Sequence, residues 1–308
     1  MKKILVTGGA GFIGSAVIDK LQREDNELFV IDNLSFGNRD FIKIADDHFY
    51  NTDILNKEEV DRIVDAIKPD VVIHLAAIHF IPYCNQHPYE SSDINIRGTT
   101  HLLGAAKRNK VKQFFFASTA AVYPIYDEAV SETHATGPMD IYGLSKLVGE
   151  HLCNEFHLQT GIPTIVCRFF NAFGPNETNP HLIPEIQKQV NSGLRKIQLG
   201  NLTPKRDFIH TSDMANAVHV LLNKIDSGIH TYNLGRGIEY AVTEIVDSFS
   251  RQIGEKIEIE VDPARVRKVE RMHLLADVSK LKSIGWQPLV DIDGGIKTLV
   301  EEWQTENK

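Results

Sequence analysis

Short runs of apolar residues, many of them β-branched, alternate with amphipathic stretches through the first 170 residues. The runs predict six strands, at residues 3–7, 28–32, 48–52, 71–75, 113–118 and 163–169. The stretches between them predict helices near residues 12–23, 57–67, 92–109 and 142–160. Strands that are apolar on both faces and alternate with helices are typical of parallel sheets. The pattern therefore predicts an α/β protein built on a doubly wound parallel sheet.

The pattern loosens after residue 170, where asparagine, glycine and proline become frequent. These residue types indicate a loop before a helix near residues 183–193. We therefore predict a first domain over residues 1–170, joined by a segment near residues 206–236, and a smaller C-terminal lobe over residues 171–308. No apolar run reaches the roughly 18 residues that a membrane span requires, so we expect none.

Composition and charge narrow the class of protein. The 308 residues are 42% hydrophobic and 24% charged, as in an ordinary globular chain. A formal charge of −8 argues against binding to nucleic acid or to an anionic membrane surface. The three cysteines cannot form a paired disulfide framework, and no CxxC or HExxH motif suggests a metal site. We therefore expect a cytoplasmic protein that binds no metal.

The first predicted strand runs into the sequence TGGAGFIG at residues 7–14, where the first predicted helix begins. In such a turn Gly8 permits the tight bend, Gly11 lets the backbone approach a pyrophosphate, and Gly14 allows close packing between helix and strand. Asp32 ends the second predicted strand about 20 residues later, where a carboxylate holds a ribose diol. That carboxylate would repel a 2′-phosphate. The motif therefore predicts NAD rather than NADP, with an ordinary glycine-rich turn as the alternative.

Two other strand ends carry candidate cofactor contacts. Asp53 and Ile54 follow the third predicted strand, where they would flank an adenine or form a solvated turn. Leu75, Ala76 and Ala77 end the fourth strand with small side chains, which would let the cofactor backbone approach or would simply pack.

Tyr142 and Lys146 are four residues apart at the start of a predicted helix, so they share one helical face. A solvated helix face is the alternative interpretation of this spacing. The order along the chain favours a pair that faces a ligand, because Thr119 ends the fifth strand after the glycine turn and Tyr142 follows it by 23 residues.

This combination of motifs resembles the extended short-chain dehydrogenase/reductase family, in particular its nucleotide-sugar epimerases and dehydratases, over essentially the whole chain. Residues 32–39 are similar to the loop that holds the cofactor adenosine in UDP-glucose 4-epimerase-like members, and residues 95–99 match the family's N-x-x-G-T segment. Residues 168–171 and 206–210 are similar to segments that contact the nicotinamide, the sugar nucleotide and its diphosphate. The resemblance implies a Rossmann-type NAD-binding domain and a smaller C-terminal lobe that binds the sugar nucleotide.

The resemblance also implies roles for single residues. Thr119 would be the catalytic hydroxyl, Tyr142 the acid/base and Lys146 its partner. The implied cofactor-binding residues are Gly8, Gly11, Phe12, Ile13, Gly14, Asp32, Asn33, Asp53, Ile54, Leu75, Ala76, Ala77, Asn95, Tyr142, Lys146 and Phe169. The implied substrate-binding residues are His79, Thr119, Phe170, Asn171, Leu182, Arg206, Arg267 and Glu270.

The chemistry places a demand on the tyrosine. An ordinary tyrosine has a pKa near 10, so action as a base near pH 7 needs about 4 kcal/mol of selective stabilisation of the phenolate. Lys146 and the positive nicotinamide would both lower the pKa of Tyr142. Tyr142 would then remove the proton from a sugar 4-hydroxyl as the C4 hydride passes to NAD, and the hydride would return to the other face of the sugar. We therefore predict an NAD-dependent 4-epimerase of a nucleotide sugar, favouring a UDP-hexose.

Other reactions in the family stay open as alternatives. Ala120 and Ala121 stand where a 4,6-dehydratase normally carries an acidic pair and a decarboxylase a glutamate, which weakens both alternatives. A 4-keto reductase is plausible, although such enzymes commonly use NADPH and Asp32 argues against that cofactor. An NAD-sensing regulatory protein would have no need of Tyr142 and Lys146, and an RNA-binding relative would be expected to show a basic face.

Several positions depart from the family pattern or leave specificity open. Pro124 stands where glycine is usual, and His79 is a candidate extra acid/base, although we favour a packed or solvated loop histidine. Cys84 is interpreted as a small buried residue rather than a nucleophile. Residues 199–202 are similar to GDP-sugar as well as UDP-sugar members, so the base is open. Leu274 lies near the position that limits bulk at the sugar's C2 substituent.

The resemblance implies a homodimer formed through the predicted helices at residues 92–109 and 142–160. Leu147, Leu152 and Phe156 on the second of these helices would face either the partner or the sheet. The expected partners are thus a nucleotide-sugar substrate and a second copy of the chain.

Overall fold

The computed structural model describes residues 1–266 and 271–306. The strands in these residues are β1 Lys2–Thr7, β2 Asn26–Asp32, β3 Phe49–Asn51, β4 Val71–His74, β5 Gln113–Thr119, β6 Thr164–Phe169, β7 Asn171–Phe173, β8 Lys196–Leu199, β9 Lys205–His210, β10 Ile229–Leu234, β11 Glu239–Ala241 and β12 Glu258–Val261. The helices are α1 Phe12–Gln22, α2 Lys57–Ile67, α3 Ile81–Gln86, α4 Pro88–Ser92, α5 Thr99–Asn109, α6 Ile141–Thr160, α7 Leu182–Asn191, α8 Thr211–Lys224, α9 Val242–Ile253, α10 Ser279–Ser283 and α11 Ile292–Glu306.

The six strands predicted from the sequence are β1 to β6, and they form one parallel sheet with β10. The strand order is β3-β2-β1-β4-β5-β6-β10, and every neighbouring pair is parallel. The order reverses between β1 and β4, which is the point where open α/β sheets bind ligands. The predicted doubly wound, Rossmann-type fold is confirmed. β2 begins two residues before its predicted start, and β3 spans only residues 49–51.

The central strands are buried on both faces because the helices cover the sheet from two sides. In β5 the side chain of Phe115 belongs to the apolar cluster on one face, while Phe114 and Phe116 belong to the cluster on the other. This alternation follows from the two-residue repeat of a strand. It explains why β5 reads in the sequence as a continuous apolar run.

The helix predicted at residues 92–109 is part of a longer helical segment. It begins with α4, continues through a π-helical stretch at Asp93–Gly98, and ends with α5. π-Helical turns widen a helix locally and are frequent at functional sites. The stretch contains Asn95, which makes contacts described below.

The C-terminal part of the chain forms two small sheets, β11-β9-β7 and β12-β8. Helices α7, α9 and α11 pack on them around a separate apolar cluster that includes Phe173, Ile186 and Phe249. Between these elements, α8 packs against α1 and β10 pairs with β6, so this segment returns to the large sheet. The division into a cofactor domain and a substrate lobe remains a prediction.

On α6, Leu147, Leu152 and Phe156 all pack against the apolar clusters of the large sheet. They therefore face the sheet, which decides between the two orientations left open above. In residues 1–266 and 271–306, every helix falls short of the length and apolar character that crossing a membrane requires.

Candidate active site

A cavity of about 1400 Å³ lies at the carboxyl ends of the parallel strands. Within the described part of the chain, every predicted site residue except Asn95 lines it. These residues are Gly8, Gly11, Phe12, Ile13, Gly14, Asp32, Asn33, Asp53, Ile54, Leu75, Ala76, Ala77, His79, Thr119, Tyr142, Lys146, Phe169, Phe170, Asn171, Leu182 and Arg206. The fold thus brings together side chains that are spread over 200 positions of the sequence, while their individual roles remain predictions.

The turn between β1 and α1 leaves no room for a side chain at Gly8 or Gly14. Gly8 has a φ angle of +73°, and a Cβ atom there would lie 2.7 Å from the backbone nitrogen of Ala76. A Cβ atom on Gly14 would lie 2.0 Å from the carbonyl oxygen of Gly8, so the helix packs directly on the turn. Gly11 has only that same oxygen nearby, at 3.3 Å, and borders the cavity. The turn therefore leaves room for an anion at the amino end of α1.

Asp32 closes the turn from the end of β2. Its Oδ2 atom accepts a hydrogen bond from the backbone nitrogen of Ala10 at 2.9 Å, and its Oδ1 atom accepts one from that of Leu34 at 2.8 Å. Burial raises the pKa of the Asp32 carboxyl, and the two backbone bonds oppose that rise. A carboxylate oxygen has two lone pairs, so each oxygen keeps one for a further donor. The carboxylate is therefore held in place and can still accept from a ribose hydroxyl.

The neighbouring strand end is also fixed. Asn33 donates a hydrogen bond from Nδ2 to Asp53 Oδ2 at 2.9 Å, and Asp53 Oδ1 accepts one from the backbone nitrogen of Leu55 at 2.8 Å. Ile54 is buried against the π-helical stretch Asp93–Gly98. A Cβ atom added to Gly98 would lie 2.4 Å from the Cδ1 atom of Ile54. These contacts order the strand end beside the cavity, and the choice between flanking an adenine and forming a solvated turn stays open.

Asn95 lies off the cavity and contacts backbone instead. Its Oδ1 atom accepts a hydrogen bond from the backbone nitrogen of Ile78, and its Nδ2 atom donates to the Ile78 carbonyl oxygen, both at 2.9 Å. Nδ2 also donates to Ser145 Oγ at 3.0 Å. Asn95 therefore positions the loop after β4 and the helix α6, and its direct contact with the cofactor stays a prediction.

The two candidate catalytic hydroxyls come together at the start of α6. The Asp140 side chain caps this helix, accepting a hydrogen bond from the backbone nitrogen of Gly143 at 2.7 Å. The short 3₁₀ turn at Ala120–Val122 packs directly on Gly143. A Cβ atom added to Gly143 would lie only 2.3 Å from the Ala121 carbonyl oxygen. This close approach places Thr119 beside the Tyr142 phenol, and the Thr119 hydroxyl acts to lower the pKa of that phenol.

The protein alone does not lower the pKa of Tyr142 as predicted. Burial raises it, and among the described groups the Thr119 hydroxyl is the one that acts in the opposite direction. Lys146 is 2% exposed, with its Nζ atom 4.2 Å from the centre of the Phe116 ring. The same burial lowers the pKa of Lys146 to about 8. The prediction concerns the complex with NAD and stays a prediction; in the protein without cofactor, desolvation is the largest effect on the pKa of both groups.

A buried ion pair supports α6 from behind. Arg168 on β6 contacts Glu150 through two hydrogen bonds, from Nε at 2.9 Å and from Nη2 at 2.7 Å. Ser118 also donates a hydrogen bond to Glu150, and Arg168 donates a third one to the hydroxyl of Tyr123 at 2.8 Å. Arg168 thus points into the protein, whereas the following Phe169, Phe170 and Asn171 line the cavity as predicted.

His79 lines the cavity and is held there by Asn179, whose Nδ2 atom lies 3.1 Å from His79 Nε2. Burial lowers the pKa of His79, and the nearby His181 adds to that effect. Cys84 is fully buried, as expected for a packing residue, and burial raises the pKa of its thiol. Among the residues that the structure describes, no cluster of histidine, cysteine, aspartate and glutamate has the composition of a metal site.

The far end of the cavity contains residues that the sequence did not reveal. Leu182 and Arg206 line this part as predicted, while Arg267 and Glu270 lie outside the described residues. Arg271 also lines the cavity, and no motif in the sequence marked it out. It donates a hydrogen bond from Nη2 to the backbone carbonyl of Tyr123 at 2.8 Å.

A loop from the C-terminal part covers the cofactor turn, which the sequence also left unpredicted. Thr178 donates a hydrogen bond from its hydroxyl to the carbonyl of Phe36 at 3.0 Å, and Asn176 donates one to Ser15 Oγ at 3.2 Å. Phe36 follows β2 and packs edge-on against Tyr83. Glycine and proline predicted a loop here, but the residue that this loop contacts is 142 positions away in the sequence, so no local pattern indicated the contact.

Comparison with known proteins agrees with this geometry. UDP-glucose 4-epimerase from Halalkalibacterium halodurans is 32% identical over 332 residues, covering 99% of this chain and 96% of the relative. The crystal structure of Thermus thermophilus UDP-glucose 4-epimerase in complex with NAD superposes with a TM-score of 0.89 at 28% identity, over 98% of this chain and 99% of that one. The structure of Thermotoga maritima UDP-glucose 4-epimerase with UDP-glucose gives a TM-score of 0.91 at 28% identity, over 99% of this chain and 100% of that one.

The family model of NAD dependent epimerases and dehydratases matches residues 4–235. The site fits such a cofactor on its own geometry, because the turn at Gly11 and Gly14 leaves space for a pyrophosphate and Asp32 retains acceptor capacity. Lys146 Nζ donates to no side chain in the described part of the chain, which leaves its three protons for ligand oxygens. The chain belongs to the NAD dependent epimerase/dehydratase family.

Proposed function

We propose that this protein catalyses NAD-dependent 4-epimerisation of a nucleotide sugar, most suitably a UDP-hexose. The observation that carries the proposal is that Thr119, Tyr142 and Lys146 line the same cavity as the glycine turn. A hydroxyl pair at this place can accept and return the proton of a sugar hydroxyl.

Thr119, Tyr142 and Lys146 would have separate roles in this reaction. Thr119 accepts a hydrogen bond from the backbone nitrogen of Ala121 at 3.2 Å, so its own proton is available to the Tyr142 oxygen. Donation of that proton stabilises the phenolate. When bound, NAD supplies reversible two-electron oxidation at carbon and a positive ring. Lys146, with its pKa lowered to about 8, remains largely protonated at pH 7 and would hold ligand hydroxyls near the tyrosine.

Epimerisation is favoured over loss of water or carbon dioxide by the residues after Thr119. Ala120 is 2% exposed and Ala121 lines the cavity, so neither side chain can act as an acid or a base. The nearby Asp140 carboxylate is engaged in capping α6 through Gly143. A dehydratase would need one group to take the C5 proton and another to protonate the leaving hydroxyl.

The decisive experiment incubates the purified protein, with no added cofactor, with UDP-glucose, UDP-galactose, their N-acetyl and uronate analogues and GDP-mannose. An isomer of unchanged mass is the expected product, since hydride and proton both return to the same sugar. Loss of water or of carbon dioxide would overturn the proposed reaction. Tyr142→Phe should abolish turnover while retaining nucleotide-sugar binding, whereas Tyr126→Phe, which loses only a hydrogen bond to the Ala135 carbonyl, should remain active.

We also propose that residues 1–170 and the returning segment near 206–236 hold NAD, while the remaining C-terminal residues hold the sugar nucleotide. The pairing of β10 with β6 and the packing of α8 on α1 support this division. Limited proteolysis in the presence of NAD or of UDP tests it. Each ligand should protect cleavage sites in its own part of the chain, and identical protection by both would contradict the division.

A homodimer through α4, α5 and α6 is the third part of the proposal. Apolar side chains remain exposed on this surface, including Tyr89 at 91%, Leu158 at 70% and Leu144 at 47%. Their exposure is unusual for a monomer surface when they share two adjacent helices. Light scattering coupled to size exclusion should give twice the chain mass, and Leu158→Glu should shift it towards the single-chain mass.

A further inference from the structure

Arg271 is a cavity-lining cation that forms no ion pair with a carboxylate in residues 1–266 and 271–306. Its guanidinium is partly buried, and within those residues it makes a hydrogen bond to the uncharged carbonyl of Tyr123 at 2.8 Å. Arg265 lines the same cavity but is paired with Glu185 at 2.7 Å and with Asp262 at 3.3 Å. A guanidinium carries five N–H donors, so Arg271 can offer further N–H groups to a ligand in the cavity.

The surroundings of Arg271 locate it at the reacting end of the cavity. Tyr123, which it contacts, follows the turn that carries Thr119 into position. The charges of Arg206 and of Asp140, two residues before Tyr142, both act on Arg271, and all three residues line the same cavity. Arg271 therefore lies near the arginine predicted to meet the diphosphate and near the start of α6, which carries Tyr142. A sugar ring attached to that diphosphate would come within reach of Arg271.

We propose that Arg271 binds a carboxylate carried by the sugar ring, so that the substrate class is a nucleotide uronate. This inference rests on the proposed function, because it specifies the sugar that the same site would epimerise. A guanidinium and a carboxylate match in shape and can form two parallel charge-assisted hydrogen bonds.

Two features of the site favour a carboxylate over other ligands of Arg271. Burial and the like charge of Arg206 lower the pKa of Arg271, so a further anion beside it would relieve both effects. Ala121, which lines the same cavity, has no charge that would repel a carboxylate on the ligand. The diphosphate already has Arg206 as its candidate partner. Arg271 is thus available for a negative charge that a neutral hexose does not carry.

The experiment compares the affinities of the NAD-containing protein for UDP, UDP-glucose and UDP-glucuronate by calorimetry. Wild-type protein should bind UDP-glucuronate ~10- to 100-fold more tightly than UDP-glucose, the range expected for a charged hydrogen-bonded pair. Arg271→Met should reduce this ratio to about 1, and Arg271→Lys, which keeps the charge and loses the planar fork, should give an intermediate ratio. Arg265→Met is the matched control, since a paired arginine should leave the ratio unchanged.

Two results would overturn the inference. One is a wild-type protein with no preference for the uronate, which requires no variant and is independent of folding. The other is an Arg271→Met protein that loses affinity equally for UDP, UDP-glucose and UDP-glucuronate, which would assign Arg271 to the diphosphate. Because these are binding ratios, they are separate from turnover. Isomerisation of UDP-glucose without a preference for the uronate would refute the inference alone, whereas absence of any isomer would refute the proposed function.

Discussion

The buried ion pair behind the candidate active site allows a quantitative test of how α6 is held. Glu150 on α6 and Arg168 on β6 are 9% and 6% exposed, and two hydrogen bonds of 2.9 and 2.7 Å join them. Ser118 donates a further hydrogen bond to the same carboxylate. Glu150→Gln keeps the shape of the side chain and removes its charge, so that a buried guanidinium is left without a counter-charge.

The expected loss of stability is large. Removing one partner of a buried ion pair typically costs ~3–5 kcal/mol, and retained hydrogen bonding by the glutamine oxygen favours the lower end, about 3 kcal/mol. With a denaturant dependence of ~3 kcal/mol per molar urea for a chain of this size, the unfolding midpoint should fall by about 1 M. Glu59→Gln is the matched control, because Glu59 accepts the same two-pronged bond from Arg62 at 2.9 and 2.6 Å on the surface. Its midpoint should change far less.

Urea unfolding followed by far-ultraviolet circular dichroism measures both variants. A second variant, Glu150→Met with Arg168→Met, replaces the pair by apolar side chains of similar length and should recover most of the stability. A midpoint for Glu150→Gln that matches the Glu59→Gln midpoint would refute the reasoning. So would a double variant that is no more stable than Glu150→Gln, since apolar replacement of the pair would then have recovered none of the lost stability.

Three other predictions follow from the site. Gly14→Ala places a methyl group 2.0 Å from the Gly8 carbonyl oxygen and should abolish retention of NAD, measured by absorbance after acid release, whereas Gly104→Ala, which meets nothing within 4 Å, should retain it. Because the pKa of Lys146 is lowered to about 8, its positive charge is lost as the pH rises through 8, and kcat should fall above that pH. A kcat that stays constant between about pH 7 and 10 would contradict the proposed role of charged Lys146. Burial lowers the pKa of His74 from 6.5 to about 3, so as the pH falls the unfolded chain binds a proton on this residue before the folded protein does. The free energy of unfolding should therefore fall between pH 6.5 and 3, by at most ~1.4 kcal/mol per pH unit. His74→Asn should reduce this slope, measured by acid unfolding.

The first half of the fold could be predicted because its strands are buried on both faces. Continuous apolar runs such as β5, with three consecutive phenylalanines, have one structural interpretation when helices alternate with them. The small strands of the C-terminal part were not predicted. β7 and β11 are three residues long and β12 is largely exposed, so neither length nor periodicity distinguishes them from loops.

The candidate site could be predicted wherever a residue acts at the end of a strand or the start of a helix. Asp32, Thr119 and Tyr142 are such residues, and all three line the cavity. Arg271 was missed because it lies in an irregular segment, where no period indicates which way a side chain points. The desolvation that raises the pKa of Tyr142 in the protein without cofactor could not be predicted, since it depends on the surrounding atoms and not on spacing along the helix.

A polar residue beside the cavity can serve a ligand or hold the backbone, and only geometry separates the two roles. The amide of Asn95 forms two hydrogen bonds with the backbone of Ile78, 17 positions earlier. Asp207 accepts hydrogen bonds from the backbone nitrogens of Arg236, Gly237 and Ala276, which lie 29, 30 and 69 positions later. Asp32 also binds a backbone nitrogen, that of Ala10, yet it faces the cavity with acceptor capacity to spare. Its carboxylate holds the glycine turn in place and remains open to a ribose hydroxyl, so replacing Asp32 should disturb both the turn and the ribose contact. This double role explains why a residue predicted to bind the ligand lies where the end of β2 meets the glycine turn.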